Sequence, residues 1–174
     1  MKIPIALACV FACVVPASGQ ADGAATTPIY GISLPAGYRD WKLITVARVG
    51  GERNDLRAKL GNDIAIEAYR EGKRPFPDGT IITRLAWTQA PAAESYKGPT
   101  TEALKKLLGE SFVSGPATNV QFMVKDSKKY ASTGGWGFAQ FNDGKPADEA
   151  VHKTCFGCHE PARDLDFVFT RYSP

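Results

Sequence analysis

The sequence predicts an α+β fold, a mostly antiparallel β-sheet with a few short helices. Runs of β-branched and aromatic residues recur along the chain. Turns built on Gly, Pro and Asp separate those runs, and the stretches with helical spacing are short and few.

The elements follow in order. Residues 22–37, rich in Gly, Ala, Thr and Pro, read as a loose lead-in to a single domain over 38–174. Trp41 to Val49 reads as a strand, closed by a turn at Gly50-Gly51. Leu56, Ala58 and Leu60 alternate with Arg57 and Lys59, the pattern of a half-buried second strand. Asp63 is a competent cap for a helix over Ile64 to Glu71, and Gly72 ends it. Pro75, Pro77 and Asp78-Gly79 turn the chain into a third strand, Thr80 to Thr88. Ala90 to Pro99 reads as a polar loop. Leu104, Leu107 and Leu108 have helical spacing within Thr100 to Phe112. Two more strands are expected, Val120 to Lys125 and Trp136 to Phe141, and a short helix over Asp148 to His152 leads into the last segment.

Composition narrows the function classes. The chain has 174 residues, 44% of them hydrophobic and 22% charged, enough for one modest core. Lys and Arg number 21 against 18 Asp and Glu, a net charge of +3 with no basic run, so nucleic acid is not the expected partner. The start reads as an export signal over residues 1–21: a positive Met1-Lys2, the apolar run Ile3 to Val15, then PASGQA with cleavage after Gly19 or Ala21. That run is shorter than the ~20 residues a spanning helix needs, which counts against an uncleaved anchor. A lipid-anchored start at Cys13 fits its surroundings poorly. The mature chain is therefore expected to be periplasmic or secreted, with no membrane span.

Export changes the cysteine arithmetic. Cys9 and Cys13 leave with the signal, so Cys155 and Cys158 remain, followed at once by His159. CxxCH admits four readings. It is the attachment signature for one covalent haem c: two thiols add to the vinyl groups and the histidine ligates the iron. A thiol–disulfide site usually sits where a strand meets a helix in a βαβ unit, which is missing around this motif. Zinc would need His152, Cys155, Cys158 and His159 as four corners within eight residues, with two of them adjacent. An ordinary disulfide or two inert thiols is the fourth. Haem alone uses all three fixed letters.

A sixth iron ligand is harder to find. Met123 in QFMV suits core packing, and His152 is too close to Cys155 to cross to the opposite haem face. An open or water-filled sixth position is expected, which favours a small ligand over pure electron transfer. The strands also count against a four-helix cytochrome c′.

Several segments together resemble the cytochrome P-460 family, including its β-sheet relatives called cytochrome c′-beta. They are GYRDW at 37–41, PFPDGT at 75–80, VKDSKKYA at 124–131, GGWGF at 134–138, CFGCHE at 155–160 and FVFTRYSP at 167–174. The resemblance implies a mostly antiparallel β fold, often a homodimer, with one c-type haem near the C-terminus and His159 as proximal ligand. It also implies a partly apolar distal side. P-460 members oxidise hydroxylamine, with nitric oxide, towards nitrous oxide or nitrite, and carry a Lys–haem cross-link. The c′-beta relatives lack that link and bind nitric oxide or carbon monoxide. The cross-linking Lys follows DGT on its strand; the matching position in DGTIITR is Arg84, a poor nucleophile. No Lys cross-link is therefore expected.

Arg84 has three readings: a solvated charge, a propionate clamp or a donor to a distal ligand. Phe76, Phe122 and Phe138 are candidates to cap the distal face, with plain core packing as their alternative. Arg163 and Arg171 flank the attachment site and are candidates for propionate pairing. Lys125 and Asp126 read as a turn pair, and Lys73 and Arg74 as solvated. The function classes that follow are a small-ligand binding protein, a hydroxylamine oxidoreductase passing electrons to a partner cytochrome, and a simple electron carrier.

Overall fold

A computed structural model describes residues 25–174. The expected signal, with Cys9 and Cys13, lies outside the described residues. No helix among them is long and apolar enough to cross a membrane.

Six strands form one antiparallel sheet in sequence order: β1 (Lys42–Val49), β2 (Asp55–Gly61), β3 (Ile81–Pro91), β4 (Phe112–Lys125), β5 (Trp136–Asn142) and β6 (Lys145–Pro146). The helices are α1 (Asp63–Arg70), α2 (Ala92–Ser95), α3 (Glu102–Gly109) and α4 (Glu149–His159). The α+β fold is as expected, and three boundaries move. The expected loop at 90–99 holds the end of β3 and all of α2. β4 starts eight residues before Val120, at Phe112, because its exposed first half pairs with the extended end of β3. Gly115 and Pro116 interrupt the alternation there, so the stretch has no strand pattern of its own. Helix α4 runs through the whole CxxCH motif instead of stopping at His152.

Local chemistry explains the helix ends. Asn62, not Asp63, caps α1: its Oδ1 accepts the Ala65 and Ile81 amides while its Nδ2 donates to the Gly79 carbonyl. Asp63 instead pairs with Lys42 at 2.6 Å on the surface. Gly72, at φ 64°, ends α1, and the Lys73 amide donates to the Ala68 carbonyl across the turn. Asp148 caps α4 by accepting the Val151 amide at 2.9 Å. The lead-in is tighter than its composition suggests. Thr26 and Ser33 form a bridge, and Tyr30 and Ile32 are buried.

Strand register places the site, since directly opposed residues share a face. Leu60, Thr83, Phe122 and Ala139 form one row across β2 to β5. That face carries an aromatic core in which Phe122 packs edge-on against Tyr38, Trp41 and Phe141. The opposite face carries two adjacent rows. One is apolar, Gly61, Ile82, Met123 and Phe138; the other is polar, Lys59, Arg84, Gln121 and Gln140. Helix α4 lies against this second face through β5.

Candidate functional site

On α4, Cys155 and Cys158 are three residues apart and Cys155 and His159 four apart, so all three share one helix face with Val151 and Thr154. Together they line a cavity of about 510 Å³ whose floor is the two rows of the sheet. A volume of that size suits a cofactor or other small molecule. The floor is divided: Ile82, Met123 and Phe138 are apolar, while Lys59, Arg84, Gln121 and Gln140 are polar. Phe169 and Thr170 close one rim.

His159 is held from three sides. Its ring stacks on Phe169 at 4.9 Å and meets Phe138 at 5.0 Å. Its Nδ1 lies 2.9 Å from the Phe167 carbonyl oxygen, which can only accept, so Nδ1 carries the proton and Nε2 keeps its lone pair. Burial holds the imidazole below its usual pKa, opposed by the Phe167 hydrogen bond and aided by the charge of Lys59. A neutral ring with one anchored nitrogen and one bare nitrogen is prepared to ligate a metal.

The Phe167 carbonyl is aimed by an unusual backbone. Asp166 and Phe167 have φ of 53° and 62°, a left-handed pair that a bulky Phe rarely adopts. Such strain persists only where the surroundings enforce it. Here Asp166 is clamped: Lys125 Nζ reaches its Oδ1 at 2.7 Å, and the Phe76 amide donates to its Oδ2 at 2.8 Å. Both side chains of the ion pair are over nine-tenths buried, and Lys125 also donates to the Gly134 carbonyl and lies over Trp136. Lys125 is thus not half of a surface turn pair with Asp126. It fastens the turn that orients His159. Sequence reading missed it because its partner is 41 residues away; the only local sign was a lysine ending a buried strand.

The remaining candidates divide. Arg84 lines the cavity, as expected of either functional reading, and donates to Asn119 Oδ1. Burial lowers its pKa to about 10, with Arg57 and Arg53 adding to the effect and Asp55 opposing it, so it stays charged. Phe138 lines the cavity but packs on His159 itself, which places it on the histidine side rather than as a distal cap. Phe122 borders the cavity, yet its ring belongs to the aromatic core of the other face. Phe76 lies outside the cavity, between Tyr69 and Trp136, with the Arg74 guanidinium 3.8 Å from its ring centre. Arg74 is therefore a stacking partner rather than a merely solvated charge. Met123 is buried, as core packing requires, and also lines the cavity. Arg163 pairs with Glu160 on the surface, and neither it nor Arg171 lines the cavity.

His152 is fully buried and both its nitrogens are used. Nδ1 donates to the Asp148 carbonyl at 2.7 Å and Nε2 accepts the Gln140 amide at 3.1 Å. It pins α4 to β5 and has no lone pair left for a metal. His152→Leu is expected to cost about 1–3 kcal/mol by leaving the Gln140 amide unpaired, read as a lowered urea midpoint.

The same geometry weighs the other readings of the motif. Cys155 lies in the seventh position of α4, away from the helix N-terminus, and burial and Cys158 push its thiol up; a reactive redox cysteine needs the opposite. Among the described residues, no three His, Cys, Asp or Glu side chains converge as a metal cluster. A haem fits the residues present: two thiols and a bare imidazole nitrogen on one helix face, an apolar strip, and cations able to meet carboxylates.

A family model described as Cytochrome P460 matches residues 35–170. No curated protein matches the chain.

Proposed function

Because the chain belongs to the cytochrome P460 family and is a haem cytochrome, we propose that it is an exported monohaem c-type protein that binds a small nitrogen ligand such as nitric oxide. The observation that carries this reading is the α4 face itself. Cys155, Cys158 and His159 line one cavity, and His159 has its Nδ1 engaged and its Nε2 available.

In this reading Cys155 and Cys158 would hold the haem through two thioethers and His159 would ligate its iron. Haem iron supplies a coordination position for a small ligand and a one-electron couple when bound. The chain's own residues do the rest. The Phe167 carbonyl and the rings of Phe138 and Phe169 fix the plane of His159. Ile82 and Met123 keep part of the cavity dry. Arg84 stands where the hydroxylamine-oxidising pattern has Lys, and its hydrogen bond to Asn119 and permanent charge support the absence of a Lys cross-link.

Material matured in a host with haem-attachment machinery is expected to gain the mass of one haem. It should lose that covalent mass in the Cys155→Ala/Cys158→Ala double variant and shift its spectrum with nitric oxide. A colourless product sinks the proposal. A third covalent bond to the ring, for instance from Lys59 in the same cavity, ends the cross-link part of it. Hydroxylamine turnover above free-haem background moves the assignment to an oxidoreductase. The place of Met123 on the cavity wall favours one further reading: a low-spin ferric spectrum that Met123→Leu abolishes would make it the sixth ligand and the protein an electron carrier.

A further inference from the structure

One wall of the cavity carries more positive charge than its surroundings compensate. Arg53, Arg57, Lys59 and Arg84 all line it, and no carboxylate among the described residues does. Among the described residues the one carboxylate bonded to any of the four is Asp55, which Arg57 holds in a bidentate pair at 2.8 and 2.9 Å. Four cations less one carboxylate leave three. Lys59 and Arg84 are directly opposed across β2 and β3, an arrangement of like charges that destabilises a sheet unless something between them compensates. Arg84 also has a buried Nε with no hydrogen-bond partner, although its outer nitrogen is met by Asn119. A buried charged donor without an acceptor is costly and calls for one. The lowered pKa of Lys59, from burial and then from Arg57 and Arg84, agrees with this crowding.

We propose that this wall is an anion subsite, so that the cavity takes a small monovalent anion of the nitrite or azide class beside its neutral ligands. The inference rests on the haem reading above. The two carboxylates of a porphyrin are another source of the same chemistry. Even if both were seated here, the excess of three would leave one positive charge uncompensated. A guanidinium fork and an ammonium in a half-buried wall suit such an oxyanion or linear anion.

The test is an optical titration of the ferric protein, on material whose haem load has been verified by mass, so that failed attachment and a failed subsite are separate results. Azide is compared with imidazole at a pH where imidazole is neutral. Arg84→Gln is expected to weaken azide about tenfold or more, the loss of one charge-assisted hydrogen bond, and to leave imidazole within about twofold. Arg84→Lys should recover part of the loss. Arg53→Gln, on the exposed loop, should weaken azide about threefold and covers the case in which Arg84→Gln fails to fold. Added chloride should weaken azide more than imidazole. Equal effects on azide and imidazole, or none on azide, overturn the proposal. So does a shifted propionate vibration in Arg84→Gln with azide affinity intact, which would assign the wall to the porphyrin's own carboxylates.

Discussion

Lys125→Met is expected to lower the unfolding free energy by about 3–5 kcal/mol, the cost of stranding a buried charge. Its partner Asp166 is 9% exposed, and among the described residues no other cation bonds its carboxylate. The substitution also unpairs the Gly134 carbonyl. Removing both charges together, in Lys125→Met/Asp166→Asn, should cost less than the two single changes summed, because no isolated ion remains. Urea denaturation of the four proteins measures this. A Lys125→Met loss below about 1 kcal/mol would show that the pair does not hold the turn. The effect should also reach the site, since Asp166 precedes the residue whose carbonyl orients His159. In haem-loaded protein the iron–histidine vibration is expected to broaden, a readout that mere loss of stability would leave in place.

Gly134→Ala is the second large effect, expected at about 2–5 kcal/mol. Gly134 has φ of 68°, where a side chain costs about 1–2 kcal/mol. A Cβ there would also run into the Phe167 ring, adding about 1–3 kcal/mol of overpacking. Gly144 separates the two contributions. Its φ is 78°, but a Cβ meets nothing within 4 Å, so Gly144→Ala should show the conformational cost alone. Thermal unfolding of both variants checks the difference. Equal losses would mean that Phe167 moves aside freely and that its seat on Gly134 does not fix the carbonyl facing His159.

These two residues mark where sequence reading stopped. The strands of the central sheet were legible because their alternation is local: Leu56, Ala58 and Leu60 announce a half-buried strand without reference to any partner. The cap at Asn62 was misread as Asp63 because either side chain can accept an N-terminal amide. The choice was made by Gly79 and Ile81, brought alongside by the β3 turn. The first half of β4 was missed because an exposed strand needs no apolar period. Its pairing with β3 is the whole of its pattern.

The candidate site divides in the same way. Cys155, Cys158 and His159 were readable as a chemical unit because their meaning lies in spacing along one helix. The roles of the aromatics were not. Phe76, Phe122 and Phe138 are equally plausible caps on paper, and only register sends Phe122 to the far face while keeping Phe138 beside the imidazole.

By itself, the amino-acid order determined the α+β class, the run of strands and the CxxCH unit, since each depends on neighbours a few positions apart. Tertiary structure alone decided which nitrogen of His159 is free, what Lys125 does and how many cations share one wall. Each of those is a contact between residues far apart in sequence, and the charge, burial and hydrogen bonding of such a contact exist only after the chain has closed.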